Sequence, residues 1–103
     1  MNRTTLPNRR LCERIKFEHR GIKYYGTIGV RPDDDVTLEI FLQAGKVGSG
    51  IEAIARDTAV FASLALQYGA TIEQLRSAVT RLDDGSPAGP GGCFLDLIAQ
   101  EEK

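Results

Sequence analysis

The sequence has little of what several classes of protein need. Its 103 residues include two cysteines, Cys12 and Cys93, and one histidine, His19. The cysteines form neither a CxxC pair nor a dense disulfide framework, which favours a reducing, cytoplasmic compartment. Their spacing from the lone histidine matches no metal site, so we expect no metal and no cofactor. A cysteine nucleophile would need a base beside it, and His19 lies in a distant predicted turn, so we expect no catalytic residue.

The sequence also lacks a strong charge imbalance and a long apolar run. The formal net charge is −1, which gives no electrostatic reason to expect nucleic-acid binding. No apolar run is long and uncharged enough to span a bilayer, and the first ten residues contain no signal-peptide core. We therefore expect a soluble, unexported cytoplasmic protein with no membrane partner.

The composition is that of one small globular domain. Apolar residues make up 42% of the chain and charged residues 26%. A chain of this length has room for a single domain. Residues 1–11 are basic and lack periodicity, so we interpret them as an extended arm before a single domain at 12–103.

Three alternating runs predict a three-stranded antiparallel meander. The first run begins at Glu13 and places Ile15 and Phe17 on one face. The second spans 22–30, and its glycines at positions 26 and 29 predict a bulge or the close approach of another backbone. The third spans 36–43, and turn residues at 19–21 and 31–35 connect the runs. The apolar face of the third run consists of Val36, Leu38, Ile40 and Leu42.

Three helices are predicted after the strands. The first begins at an N-cap, Ser49, and ends at Gly69, a left-handed C-cap residue. The second begins with a capping box at 71–74 and extends to about Leu82. The third begins at Cys93, after a loop at 83–92 that is rich in glycine and proline. The sequence therefore predicts an α+β fold of two layers, β-β-β-α-α-α, with the three helices packed on one face of the sheet.

The first predicted helix is apolar on two sides. One stripe is expected to face the sheet, and the other is left for a further layer or a second subunit, which predicts a homo-oligomer or docking on a larger enzyme. The stripe expected toward the sheet consists of Ile51, Ile54, Ala55, Thr58, Phe61 or Ala62, and Ala65. The second stripe consists of Ala53, Val60 and Leu64. The buried faces of the later helices are predicted to be Ile72, Leu75, Val79 and Leu82, and then Phe94, Leu97 and Ile98.

The main candidate binding site is the junction between the third strand and the first helix. Free backbone N–H groups and the positive end of the helix dipole converge there, which would stabilise an anion. We expect the loop amides, the Ser49 hydroxyl and the Lys46 ammonium to hold a phosphate group. The loop is neither a Walker A motif nor a GxGxxG motif, and the alternative is a sharp turn with Lys46 in solvent. The loop residues of this candidate site are Gly45, Lys46, Gly48, Ser49 and Gly50.

Other residues are secondary candidates. Asp57 would bind a ligand hydroxyl or an arginine such as Arg81, and the alternative is a surface helix aspartate. The loop at 83–92, with Gly91 and Gly92, would form a second backbone cradle over the first loop, or else a plain connector. Cys93 would be reactive near a helix start, or else a small buried cysteine.

Several segments together resemble a known family. They are Leu6–Arg10, Glu39–Leu42 with Gly45–Gly48, Ala59–Gly69, Thr80–Arg81 and Leu95–Asp96. In this order they resemble the C-terminal TSCPD region of adenosylcobalamin-dependent (class II) ribonucleotide reductases, over nearly the whole chain. The most specific part is Ser63–Gly69, which reads Ser-Leu-Ala-Leu-Gln-Tyr-Gly. The resemblance implies a link to nucleotide binding and to deoxyribonucleotide and DNA synthesis.

Several features of those reductases are absent from this sequence. Those reductases carry a radical-bearing barrel, a catalytic cysteine trio, a cobalamin site and a C-terminal cysteine pair, and none of these is present in the 103 residues. We therefore expect a non-catalytic, stand-alone module that binds a phosphate-bearing, nucleotide-like ligand or a ribonucleotide reductase partner. One alternative is an oligomeric interaction or ligand-sequestering protein without a reductase role. Another is an accessory part of a ribonucleoside-diphosphate reductase that acts in trans.

Overall fold

The elements of the molecule follow the predicted order. The computed structural model describes residues 3–6, 12–45 and 50–101. Its elements are β1 (Cys12–His19), β2 (Ile22–Val30), β3 (Thr37–Ala44), α1 (Gly50–Gln67), α2 (Ile72–Ala78) and α3 (Pro90–Glu101). The strands form one antiparallel sheet in the order β1-β2-β3. The predicted α+β fold, a three-stranded antiparallel meander followed by three helices, is confirmed.

Glycines shape β2 at a bulge, as predicted, and at a close contact that is made by a side chain rather than by the predicted backbone. β1 and β2 are joined by Arg20 and Gly21, whose φ angles of 53° and 81° suit a two-residue hairpin turn. The register between β2 and β3 shifts at residues 29–30, which is the predicted bulge. At Gly26, a side chain would collide with the ring of Phe94. This position therefore needs glycine because another element packs directly on the strand.

α3 lies across the apolar face of the sheet. Its Phe94 is fully buried, and the Phe94 ring stacks on Phe17, which in turn stacks on Tyr24, with centroid distances of 5.6 and 5.4 Å. Ile98 is buried beside Phe94 as predicted, while Leu97 is half-buried. The largest fully buried side chains are Phe94, Ile40, Leu42 and Ile98. The core is thus formed by β2, β3, α1 and α3, with Ile72 of α2 at its margin.

α1 lies along the free edge of β3. The Ser63 hydroxyl accepts a hydrogen bond from the N–H of Ile40 and donates one to the Ile40 carbonyl, both at 2.8 Å. The amide of Gln67 donates to the carbonyl of Leu38 at 3.2 Å. These bonds satisfy backbone groups that an edge strand would otherwise offer to another chain.

The prediction of which side of α1 faces the sheet is wrong in part. Ile51, Ile54 and Phe61 are exposed, whereas Ala55 is buried as predicted and Ala59 is buried beside it. A helix that hydrogen-bonds a strand edge through a serine must come close to the strand. Small residues at an i, i+4 spacing permit that approach, and large side chains there would prevent it.

The predicted ends of α1 and start of α2 agree with the structure where they are described. Gly69 has a φ of 110°, as expected for a left-handed C-cap. The capping box is present: the Thr71 hydroxyl accepts from the N–H of Gln74 at 3.1 Å, and the Gln74 side chain accepts from the N–H of Thr71 at 2.9 Å. The predicted N-cap Ser49 lies outside the described residues.

α2 is shorter than predicted. It ends at Ala78, and Val79 has extended angles of φ −74° and ψ 155°. Leu82, which was predicted to be buried, is exposed, and its N–H donates to the Ser86 carbonyl at 2.9 Å. The chain leaves the helix there because residues 80–88 form a tight loop of their own, closed by a bridge between residues 81 and 87.

Two further boundaries were predicted wrongly. α3 begins at Pro90 rather than Cys93, because proline is favoured in the first turn of a helix, where its missing N–H costs nothing. Val36 lies before β3 and is exposed, and the strand starts at Thr37, which is buried. Because α3 begins at Pro90, its first turn includes Gly91 and Gly92, which were predicted to lie in a loop.

Residues 3–6 attach to the C-terminal end of α1. The Arg3 guanidinium donates to the Gln67 side chain, and the N–H of Thr4 donates to the Gln67 carbonyl at 2.7 Å. Leu6 lies against Gly29 on the outer side of the sheet. The rest of the predicted arm lies outside the described residues.

None of the helices in the described part of the chain has the length and apolar character needed to cross a membrane.

Candidate functional site

The predicted junction site connects the end of β3 to the start of α1. Gly45 is exposed, and its N–H donates to the carbonyl of Lys23 at 2.8 Å. Gly50 opens α1 and is exposed, with open space where a side chain would lie. The other three loop residues, Lys46, Gly48 and Ser49, lie outside the described residues. Phosphate binding by this loop therefore stays a prediction.

Asp57 and Arg81 are not brought together. Asp57 lies exposed on α1. Arg81 donates to both carboxylate oxygens of Asp96 at 2.9 Å, and Arg76 donates to one of them at the same distance. The hydrogen bonds from Arg81 and then Arg76 lower the pKa of Asp96 to about 2. Arg81 therefore belongs to an ion-pair cluster that ties α2 and the 80–88 loop to α3.

Gly91 and Gly92 lie buried in the first turn of α3. A side chain at Gly91 would meet Thr58 of α1 at 2.5 Å. One at Gly92 would lie 3.0 Å from both Pro87 and Val79. Both glycines therefore allow α3 to pack closely on its neighbours. Their predicted role as a second backbone cradle stays a prediction.

Cys93 occupies a half-buried position rather than an activated one. Burial raises the pKa of the Cys93 thiol, and the nearby Asp96 carboxylate raises it further. A raised pKa disfavours the thiolate that a nucleophile requires, so the small packed cysteine is the better description. Among the described residues, no group of three or more His, Cys, Asp or Glu side chains is placed to hold a metal ion.

A groove of about 430 Å³ lies between the outer face of the sheet and α1. β3 forms one wall and α1 the other, and the chain that joins these two elements is the predicted junction. The groove therefore lies between the two elements that flank the predicted junction. Its lining includes Tyr25, Thr27, Phe41, Gln43, Arg56 and Val60.

Basic side chains from β1 continue the surface of this groove. Arg14 and Lys16 extend over the ring of Tyr25, with the Arg14 guanidinium carbon 4.5 Å and the Lys16 ammonium 5.7 Å from its centroid. The sheet register places Arg14 in one row with Phe41, and Lys16 in one row with Gln43. Two cations, two aromatic rings and an amide thus share one face of the sheet.

The groove offers two kinds of recognition in one place. Phe41 is 48% exposed, although it is a large apolar side chain, and it presents a ring on which a flat group would stack. Arg56 is exposed on the opposite wall and brings a guanidinium suited to phosphate. Sequence reasoning missed this groove, although the alternation of β2 and β3 placed both Tyr25 and Phe41 on the solvent side.

A second groove of about 510 Å³ lies at the opposite end of β3. Its lining includes Asp34, Asp35 and Glu73. Arg31, which also lines this groove, is paired with Asp34 at 2.6 Å. A phosphate would meet like charges there, so the groove beside the junction is the better site for an anion.

Comparison with known proteins places this fold in a family. The sequence model of the TSCPD domain matches residues 3–101, which include every strand and helix, the groove and the Asp96 cluster. Searches among curated proteins and among solved structures returned no match. The resemblance to the TSCPD region of class II ribonucleotide reductases is consistent with the matched domain. The chain therefore belongs to the TSCPD domain family.

Proposed function

We propose that this protein is a non-catalytic binding module whose groove takes a phosphate-bearing, nucleotide-like ligand. The observation that carries the proposal is the exposed Phe41 ring in the same groove as Arg56 and next to the cations on Tyr25. A nucleobase is flat and stacks on aromatic rings, and its phosphates need guanidinium or ammonium groups. A nucleotide would use both surfaces.

Each wall of the groove has its own part in binding. Phe41 stacks on the base, and Gln43, one pleat further along β3, offers both a donor and an acceptor to a base edge or a sugar hydroxyl. Arg56 and Arg14 bind phosphate oxygens from opposite sides. The amides and the Lys46 ammonium predicted at the junction would add a second phosphate position. Resemblance to ribonucleotide reductases makes deoxyribonucleotide metabolism in the cytoplasm the proposed context.

Isothermal titration with nucleoside di- and triphosphates tests this function. Phe41→Ala should weaken binding by about 10- to 100-fold, because stacking on one ring contributes roughly 1–3 kcal/mol. Arg56→Ala should weaken triphosphate binding by a similar factor through the loss of a charge-assisted hydrogen bond.

Arg31→Ala is the matched control for charge. Arg31 carries the same charge as Arg56, but it pairs with Asp34 at the other end of β3. It should leave the affinity unchanged. The proposal fails if the wild-type protein gives no heat with any nucleotide, or if the control loses as much affinity as Arg56→Ala.

A further inference from the structure

The outward face of α1 carries large apolar side chains that nothing in the described part of the molecule covers. Phe61 is 70% exposed and Ile54 is 64% exposed, and Leu64 and Tyr68 are also exposed. Tyr68 lies one residue past α1, yet its N–H still donates to the Leu64 carbonyl at 3.1 Å. The α1 stripe consists of Ile54, Asp57, Phe61, Leu64 and Tyr68.

We propose that the α1 stripe pairs with the same stripe of a second copy, with the two helices antiparallel about a twofold axis at Phe61. Residues 54, 61 and 68 are seven apart, and residues 57 and 64 lie between them at the alternate heptad position. This 3–4 spacing is that of a seam between two packed helices. The neighbouring Ala53 and Ala65 are small, so the two helix axes can come close.

The polar member of the stripe favours a second copy as the partner. Asp57 precedes Phe61 by four residues and Tyr68 follows it by seven, which is about 6 Å and about 10 Å along the helix axis. Antiparallel pairing about Phe61 therefore brings Asp57 of one copy within one helical turn of Tyr68 of the other. Helical side chains lean toward their own N-terminus, so these two lean toward each other. The Tyr68 hydroxyl then donates to the Asp57 carboxylate, and the stripe complements itself.

The size of the surface indicates a weak dimer. The stripe exposes on the order of 500 Å² of apolar surface per copy, since two aromatic side chains dominate it. A standard interface takes about 800 Å² from each partner. We therefore expect a Kd of roughly 10–100 μM, with the register fixed by the Asp57–Tyr68 contact.

The proposed dimer does not depend on the ligand groove. A helix turns about 100° per residue, so Arg56, which lines the groove, lies on a different side of α1 from Phe61. The second apolar stripe predicted from the sequence, Ala53, Val60 and Leu64, is exposed, and the structure adds the three larger side chains at 54, 61 and 68. Loss of one proposal would leave the other standing.

Sedimentation velocity over a concentration series tests the dimer. The wild-type protein should pass from its 11.3 kDa monomer toward twice that mass as concentration rises through about 100 μM. Phe61→Glu should be monomeric throughout, because it places two like charges at the twofold axis. Leu82→Glu is the matched control, since Leu82 is an exposed apolar residue outside the stripe. It should dimerise like the wild type.

A double-mutant cycle tests the register. Asp57→Ala and Tyr68→Phe should each weaken the dimer by roughly threefold to tenfold, and the double variant should lose no more than the stronger single one. The two residues lie about 16 Å apart along one helix, so coupling between them must act across the two copies. Additive losses would contradict the proposed pairing. A wild-type protein that stays monomeric to about 1 mM would overturn the proposed dimer. This holds even if the same face of α1 binds a ribonucleotide reductase.

Discussion

The Asp96 carboxylate accepts hydrogen bonds from two guanidinium groups. Arg81 meets both of its oxygens, and Arg76 meets one of them while also pairing with Glu73 at 2.7 Å. Arg81 also reaches the Gly85 carbonyl at 3.2 Å. A partly buried carboxylate between two guanidiniums thus joins α2, the 80–88 loop and α3. The ionised Asp96 side chain therefore contributes to the stability of this end of the molecule.

Asp96→Asn should change how stability depends on pH. The folded pKa of about 2 lies below the ordinary value of 3.8, so the ionised cluster stabilises the fold above pH 4 and this contribution is lost as the pH falls toward 2. The contribution amounts to about 1–2 kcal/mol. Urea unfolding at several pH values from 6 to 2 should show a steep acid limb for the wild type and a shallower one for Asp96→Asn.

Asp34→Asn is the matched control for this measurement. Asp34 also has a lowered pKa, because it accepts a hydrogen bond from Arg31, but both side chains of that pair are well exposed. A solvent-exposed pair contributes little to stability, so the acid limb should hardly change. If both variants made the acid limb equally shallow, the Asp96 cluster would contribute no more to stability than the exposed Arg31–Asp34 pair.

At the scale of elements, the contact between α1 and β3 explains why some predictions succeeded and others did not. The strands, the hairpin turns and the capping box depend on neighbouring residues, and alternation or a four-residue motif is enough to predict them. The buried side of α1 depends on what packs against it. The stripe expected to face the sheet included Ile51, Ile54 and Phe61, but these are exposed. The strand edge is approached by Ala55, which was predicted, and by Ala59 and Ser63, which were not. Periodicity alone cannot distinguish packing on a face from packing along an edge.

Ser63→Ala tests whether α1 protects the edge of β3. The substitution removes a hydroxyl that serves both the N–H and the carbonyl of Ile40, and it leaves these partly buried backbone groups unpaired. The free energy of unfolding should fall by about 1–3 kcal/mol. Ser77→Ala is the control, because the exposed Ser77 hydroxyl bonds only the Gln74 carbonyl within its own helix. Chemical denaturation that gave equal midpoints for both variants would contradict the protective role.

At the scale of the whole molecule, the groove could not be found from any single segment. Its walls come from β2, β3 and α1, and its cations come from β1, so residues 14, 25, 41 and 56 meet only after folding. The junction could be foreseen because strand, loop and helix follow each other directly in sequence. The strand and the helix on either side of the junction also form two walls of the groove, while phosphate binding at the junction itself stays a prediction.

The two proposed binding events should respond to salt in opposite ways. Ligand binding in the groove depends on Arg14, Lys16 and Arg56, which are exposed, and salt screens such charges beyond about 10 Å at 0.1 M. Raising the salt from about 50 mM to 500 mM should therefore weaken triphosphate binding severalfold. The α1 stripe is largely apolar, so the same change should leave the dimer unchanged or slightly tighter, most clearly with sulfate.

Titration and sedimentation on the same samples measure both responses. Phe61→Glu supplies a protein in which only the ligand response remains, and Phe41→Ala one in which ligand binding is weakened while the dimer response is kept. If the dimer dissociated with salt in parallel with the ligand, charged groups rather than the apolar stripe would hold the two copies together. A salt-insensitive triphosphate affinity would instead place the ligand away from the cations of the outer sheet face.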